Sequence, residues 1–524
     1  MLRIREESNF ILQTDCSSVI IAFAQNFCAS TTRLNILMVF YFLMWTGGVA
    51  YSIYNVYLTN IYFVDYYDLY FDFVPGWSWI GKKQDVSDQE WRTWIPLMIT
   101  LMPWIFIHHL VSQIVKNVFN KVLLCCWYTL VSISFLCYYI GTMGMFCILA
   151  QSSVLYLLNY INNKKIIWLI HVLFLFIIHI FKMPDGIFYQ WLQYNDNEHY
   201  LLMLAMCWIQ LRSISQNMDN FKIQYDRDYT YFFNDYLQTL AYCLYLPTLF
   251  LGPLILYHEF FNSLNNSPSR WSFMKVQTII INLIRYTFWL YFTEFSLHFI
   301  YVNVLQYHPQ IVQNLNSWAL YGLGYCMGQF FLNKYVIVYG TNKTLCEADD
   351  IKAPLPPKCI GRIHLYSDMW KYFDRGLYKF LIRYIYIPVV KSKDYHRKLF
   401  GSFLCFTFVF LWHGMQTNIF TWALLNFIGL NIENLSRIIG NTKRYNQFQT
   451  KYLSSWNRRR FNCALSSILL AMSAISNFFF FAGQEIGNIY INRILKDSWS
   501  TILLLLFFLY CCCHVSIDMK LGGM

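Results

Sequence analysis

"FLCFTFVFLWHGMQTNIFTWALLNFIGL", residues 403–430, decides how this chain is read. No Asp, Glu, Lys or Arg occurs between Lys398 and Glu433, and one histidine, His413, stands mid-run. Two basic stretches flank the segment: "KSKDYHRK" (Lys391–Lys398) and "NTKRYNQFQTKYLSSWNRRR" (Asn441–Arg460). Basic loops prefer the cytosolic side of a membrane. With both flanks there, Leu399–Ile432 must enter the bilayer and return, turning near Gly414 and Asn418. His413 is then about 15 residues in, roughly 22 Å at 1.5 Å per residue. In a hydrocarbon core about 30 Å thick, that depth lies towards the far leaflet.

The rest of the 524-residue chain agrees: 57% of it is hydrophobic, 20% aromatic and only 13% charged. A soluble domain carries about 25% charged residues. The apolar residues come in long blocks: Leu34–Val64, Thr93–Val115, Val122–Asn163, Ile166–Phe181, Tyr236–Tyr257, Tyr286–Thr293, Phe295–Tyr339, Leu399–Ile432, Asn462–Gln484 and Trp499–Ile517. A spanning helix needs about 20 residues. Val122–Asn163 and Phe295–Tyr339 are each long enough for two spans, whereas Ile166–Phe181 is short enough to be re-entrant. The expectation is an all-α polytopic membrane protein with roughly nine to twelve membrane elements. Residues 1–33 form a non-spanning segment without the pattern of a cleaved signal peptide, so the first span serves as signal anchor. Residues 34–524 then form one membrane domain.

The net charge of +12 is read as positive-inside loops and contact with anionic lipid head groups, with no nucleic-acid partner. Most of the 16 cysteines sit in apolar blocks, and none has C-x-x-C spacing. They read as small hydrophobes. Cys511–Cys513, near the last boundary, is open to reversible palmitate, but buried packing is the default. Cys359 stands apart, in the proline-rich "DDIKAPLPPKC" (Asp349–Cys359).

A histidine at membrane depth is costly, so it marks a functional site or a specific partner. Trp412 and Gly414 beside it favour function, since glycine admits close approach. In "DMWKYFDRGLYKFLIRYIYIP" (Asp368–Pro388), Phe373, Leu377, Phe380, Leu381 and Tyr384 form an apolar stripe at helical spacing. Arg375, Lys379 and Arg383 lie on other faces and suit a membrane interface. Trp370 and Asp374, four apart, share a face. Asp374 is the carboxylate to place near a reaction centre, against the plainer reading of an ion pair with a neighbouring Arg or Lys. Glu294 and His298 are spaced to bond each other and read as structural. Asn477, a polar residue in "AISNFFFFAGQE", is either inter-helical glue or a holder of a substrate carbonyl.

Taken together, "GKKQDVSDQEW", "LFLGPLILYHEF", "CIGRIHLYSDMWKYFDRGLYKFLIRYIYIP", "FLWHG", "LNFIGLNIENLSR", "NRRRFNCAL", "GQEIGNIYINRI" and "FLYCCCHVSI" resemble the membrane-bound O-acyltransferase (MBOAT) family, in its hedgehog acyltransferase branch. The third and fourth are the specific matches. The resemblance implies mostly tilted helices around a membrane-crossing tunnel, entered by acyl-CoA from the cytosol and by the acceptor protein from the lumen. It implies His413 as the family histidine and Asp374 as the second catalytic position. Trp370, Trp412 and Asn477 are then substrate-binding residues, and Cys359 ligates the iron of haem b. A thiolate is a competent axial ligand. Two departures bear on acceptor specificity: Lys371 where arginine is expected, and Met415 where a second glycine follows "WHG".

The activity implied is transfer of palmitate from palmitoyl-CoA to the N-terminal cysteine amine of a secreted hedgehog-type protein, in the endoplasmic reticulum membrane or the Golgi. His413 is the general base, with Asp374 as its partner. Alternatives are a family member acylating a lysophospholipid or sterol, a proton-coupled transporter using Glu294, His298 and His413, and a non-catalytic scaffold. The protein-acylating motifs disfavour the first, the lack of an internal repeat the second, and the retained His413 and Asp374 the third.

Overall fold

Long apolar runs have no water to satisfy their backbone in a bilayer, so helix is the form open to them. The structure, a computed structural model, is almost wholly helical. It describes residues 32–66, 73–118, 121–183, 186–221, 232–266, 271–359, 361, 363–390 and 394–521. The segment before Thr32, most of the Asp65–Asp72 loop and Lys391–Lys393 lie outside these. The first helix, α1 (Thr32–Tyr66), leads to a small antiparallel hairpin, β1 (Phe73–Pro75) and β2 (Lys83–Asp85), with Val74 opposite Gln84. α2 (Gln89–Val118) follows, and Val122–Asn163 divides at Gly141 into α3 (Lys121–Tyr139) and α4 (Thr142–Leu157), as its length requires. α5 (Lys164–Phe181) opens on Asn163, whose side chain accepts the Lys165 and Ile166 amides. It is an 18-residue helix with the hydropathy of a span, so a re-entrant form is not needed.

After α6 (Ile187–Leu192) comes α7 (Asp196–Asn220), opened by a capping box between Asn195 and Glu198. Next, Tyr236–Tyr257 is not a span. α8 (Phe232–Cys243) ends early, and residues 244–256 run irregularly to α9 (Tyr257–Asn265). Such backbone survives at membrane depth only where protein satisfies it. Here Arg212 of α7 donates to the Cys243 carbonyl (2.7 Å) and the Thr248 carbonyl, Asn342 to that of Leu251, and Tyr242 to that of Ile255 (2.8 Å).

α10 (Phe273–Ser296) absorbs Tyr286–Thr293. Phe295–Tyr339 holds one long helix rather than two: short α11 (Val302–Leu305) and α12 (Pro309–Asn314) precede the long α13 (Ser317–Ala348). The Asp85 carboxylate caps α11 by accepting the Asn303 (2.7 Å) and Val304 (3.2 Å) amides. Beyond the Asp349–Cys359 loop lie α14 (Tyr366–Tyr372), α15 (Arg375–Phe380), a π-helical turn at Leu381–Tyr386 and α16 (Ile387–Val389). Leu377, Phe380, Leu381 and Tyr384 of the apolar stripe are buried. The three cations also have protein partners. Arg383 pairs with Asp219 (2.8 Å), Lys379 with Glu259 (2.6 Å), and Arg375 stacks over Tyr372 (5.4 Å).

The opening segment is the hairpin it promised. α17 (Tyr395–His413) and α18 (Thr417–Gly440) pack together across a turn at Gly414–Gln416. α19 (Lys443–Tyr452), α20 (Ser455–Lys496) and α21 (Trp499–Leu521) complete the chain. α20 breaks its helical backbone at Gly483, where φ is +83°. α1 packs on α13 and α21, and α18 on α20. Among the described residues, α1 to α5, α20 and α21 are long and apolar enough to cross a membrane. The more polar α7, α10, α13, α17 and α18 bring the set of long helices into the expected range.

Glu294 and His298 are structural, but not as a pair. The His298 ring bonds the Glu294 main-chain carbonyl (2.9 Å) and accepts the Trp77 amide (3.0 Å). The Glu294 carboxylate accepts from Gln84 and from the Trp91 indole (2.6 Å). The β-hairpin lies between them and claims both. Cys511, Cys512 and Cys513 are buried at 0%, 6% and 0% exposure, which favours packing over lipidation.

Candidate active site

His413 is the last residue of α17, because Gly414 (φ +136°) turns the chain out of the helix in a conformation L side chains rarely adopt. Three rings surround its imidazole: Trp412 at 4.6 Å, Phe480 at 5.1 Å and Trp422 at 5.5 Å, the last two nearly perpendicular to it. The residue lines a cavity of about 1010 Å³ walled largely by aromatic and aliphatic side chains. That is the upper end of ligand-pocket size. Trp370, Asp374, Trp412 and Asn477 line the same cavity, and Glu90, Lys182 and Asp196 add charge to its wall. Among the described residues, no hydrogen bond links His413 directly to Asp374.

Asp374 is the N-cap of α15. One oxygen accepts the Leu377 amide and the other the Tyr339 hydroxyl, each at 2.8 Å. The Arg or Lys ion pair held open by the sequence is absent among the described residues, so neutral donors hold this carboxylate. Trp370 and Asp374 do not share one helix, since the chain breaks at Phe373, but both reach the cavity.

A ladder of hydrogen bonds joins the remaining candidates. The Trp370 indole donates to Asn426 (3.2 Å), and the Asn426 amide donates to Ser476 (3.2 Å) and to the Trp422 carbonyl (2.9 Å). The Trp422 indole donates to the Asn477 side-chain oxygen (3.1 Å). The Trp412 indole donates to the Cys207 carbonyl (3.1 Å), tying α17 to α7. Sequence reading missed Tyr339, Trp422 and Asn426. Asn426 carried the same signal as Asn477, a lone amide in an apolar run, and Trp422 lies one turn before it.

Cys359 is half-buried at the end of its loop, beside the cavity wall. Its sulfur lies 3.8 Å from where a Cβ would stand at Gly361, and the Trp45 ring lies 2.8 Å from that point. Gly361, Trp45 and Cys512 all line the cavity. The glycine thus admits the Trp45 ring, and what suits a haem iron here is the thiol itself, a competent soft axial ligand. Elsewhere, His108, His109 and Asp349 offer ligand atoms within 4.8 Å of one another. The Asp349 carboxylate, however, already accepts from Ser112 (2.8 Å), Lys116 (2.7 Å), Tyr128 (2.5 Å) and Tyr245 (3.0 Å), besides meeting His108 at 3.2 Å. A carboxylate so occupied, with an ammonium on it, is a structural clamp. Glu294 and His298 do not line the cavity, so the transporter relay is not assembled.

The sequence pattern of the membrane-bound O-acyltransferase family matches residues 156–482, more than half of the chain. This chain belongs to that family. The acyltransferase is 28% identical over 467 residues to the protein-cysteine N-palmitoyltransferase Rasp of Drosophila melanogaster, covering 87% of this chain and 89% of that relative. It is 27% identical over 477 residues to the protein-cysteine N-palmitoyltransferase HHAT of Mus musculus, covering 89% and 94%. The fission-yeast membrane-bound O-acyltransferase gup1 (Schizosaccharomyces pombe strain 972) matches at 24% over 434 residues, covering 70% of each chain. The acyltransferase is thus a multi-pass membrane enzyme whose matched region contains His413 and the five other candidates, Cys359, Trp370, Asp374, Trp412 and Asn477.

Proposed function

We propose that this acyltransferase moves palmitate from palmitoyl-CoA to the N-terminal cysteine amine of a secreted hedgehog-type protein, in the endoplasmic reticulum membrane. The observation that carries the reading is the convergence of His413, Asp374, Trp370 and Asn477 on one largely apolar cavity. The two palmitoyltransferases it resembles over most of its length support the donor and acceptor chosen.

A free α-amino group has pKa ≈ 7.7–8.0, so much of it is protonated at neutral pH and must lose a proton before it attacks. His413, enclosed by rings and, among the described residues, without a hydrogen bond to another side chain, is the base that takes the proton. Asp374 supports the imidazolium through the electrostatics of the shared cavity, its own orientation set by Tyr339 and the α15 cap. The amine nitrogen attacks the thioester carbon, the carbon–sulfur bond breaks, and the proton passes to the departing thiolate. Asn477 faces the developing charge on the carbonyl oxygen. No serine or cysteine adjoins His413 in sequence, which favours direct attack over an acyl-enzyme.

Haem b would be held by Cys359, as the resemblance implies, with the cysteine thiolate as the iron ligand. It would supply a packed apolar body there, while this chain's own residues carry the acyl transfer.

The deciding experiment incubates purified protein with palmitoyl-CoA and a peptide beginning with cysteine. Mass spectrometry should find one hydroxylamine-resistant palmitoyl group at the N-terminus. The same yield on an N-acetylated peptide would overturn the amine as acceptor.

A further inference from the structure

Asn477 lines the cavity with His413, and its value as a donor depends on which end of its amide faces the reaction. An indole N–H only donates, so the group it meets at 3.1 Å is the amide oxygen of Asn477. The amide is planar, which sends its NH2 to the opposite end. Among the described residues that NH2 has no hydrogen-bond partner.

We infer that Trp422 is a positioning residue for acyl transfer: by holding the Asn477 oxygen it turns the amide so that its NH2, and not its carbonyl, meets the thioester oxygen. The inference rests on the reaction proposed above and adds a residue to it. Trp422 is itself fixed, only 8% exposed, with its ring 4.5 Å from Phe480 and 5.5 Å from both Trp370 and His413. Its helix is locked at the same turn by Asn426, which bridges to Ser476 of α20, the residue before Asn477. A side-chain amide without this anchor turns over freely. In half of its orientations it would present an oxygen to a developing oxyanion, which is repulsive. The arrangement pre-sets the dipole before the substrate arrives, which is where such donors gain their effect.

The chemistry served is balanced. As the carbon–nitrogen bond forms, the carbonyl pair moves onto oxygen, opposite the Asn477 NH2. When that pair returns, sulfur leaves with the bonding electrons, and the proton taken by His413 passes to sulfur. The products are the amide and the free thiol of coenzyme A.

The test measures kcat and KM for palmitoyl-CoA and the cysteine peptide in the purified full chain. Wild type, Trp422→Phe, Asn477→Ala, the double variant and His413→Ala are compared. Asn477→Ala should lower kcat by about 10²-fold, the scale of one lost oxyanion donor. Trp422→Phe keeps a ring but loses the N–H, and should lower kcat about tenfold with both KM values unchanged. Trp422→His, which keeps a ring N–H, should recover part of this and serves if the phenylalanine variant does not fold. The double variant should be no worse than Asn477→Ala alone. A Trp422→Phe loss that persists in full in the Asn477→Ala background, or appears as raised KM only, overturns the inference while leaving the reaction intact. Normal turnover by His413→Ala sinks the parent reading, and this inference with it.

Discussion

The α17–α18 hairpin and helix α7 meet at the same cavity, yet one is plain in the sequence and the other hidden. The hairpin has a long charge-free run, bounded by charge and turned by a glycine, so its ends and its turn can be marked before any coordinates exist. α7 carries Gln210, Arg212, Ser213, Ser215, Gln216, Asn217, Asp219 and Asn220 in eleven positions, all buried. By composition it is a poor membrane helix. It is stable because most of its strong polar groups are met inside the bundle. Gln210 bonds His171 (3.1 Å), Asn217 bonds the Leu155 carbonyl (3.1 Å), and Asp219 accepts from Arg383 and from Tyr384 (2.8 Å). Lipid-facing helices announce themselves through hydropathy. A helix surrounded by protein answers to hydrogen-bond satisfaction, which depends on partners far along the chain.

The contrast can be broken first at the hairpin. His413→Ala should cut turnover by about 10²–10⁴-fold, the usual loss for a general base, while thermal unfolding in detergent stays at the wild-type temperature. A parallel fall in stability would make this histidine a packing residue like those of α7.

Arg212→Met tests the other side. It removes charged donors from the carbonyls of Cys243 and Thr248 and should cost about 3–6 kcal/mol of stability, at roughly 1.5–3 kcal/mol for each hydrogen bond to a charged group. Chemical denaturation of the purified variant checks this, and the folded fraction should keep its kcat. An unchanged midpoint would show that the irregular 244–256 run is held by something else.

Tyr339→Phe is a smaller step. One donor leaves Asp374 while the α15 cap remains, so a loss of about tenfold in kcat with near-normal KM is expected, the effect of a neutral hydrogen bond worth about 1–1.5 kcal/mol. In an Asp374→Asn background the same substitution should cost almost nothing.

Glu294→Gln should matter least. It keeps the shape, still accepts from the Trp91 indole, and lies away from the cavity, so about 1 kcal/mol of stability and unaltered kcat are expected. A large loss of activity would revive a role for the Glu294 region in proton movement.

This contrast also measures how far the site was legible. His413 and Asn477 stood out because each is polar in an apolar run, and Asp374 through its spacing to Trp370 and the family resemblance; the structure brings all three to one cavity. Trp422 did not, because an indole is at home in an apolar run, and only its bond to Asn477 sets it apart. Two stretches misled through length alone. Tyr236–Tyr257 and Phe295–Tyr339 have the apolar residues of one and two spans, but Pro247, Pro253 and Pro309 break their helices. The remaining turns are buried under neighbours such as Arg212, Asn342 and Asp85, whose positions no local pattern reveals.

The cavity wall runs in sequence from Trp45 on α1 to Cys512 on α21, nearly the full span of the described chain. Those two helices pack on each other, so the compartment is closed by its first and last walls. For a protein made and inserted from one end to the other, the reaction chamber therefore does not exist until α21 has been threaded back against α1. Catalytic competence is in this sense a property of completed assembly, and a chain stopped after Lys496 would hold every candidate catalytic residue and still lack a room to use them in.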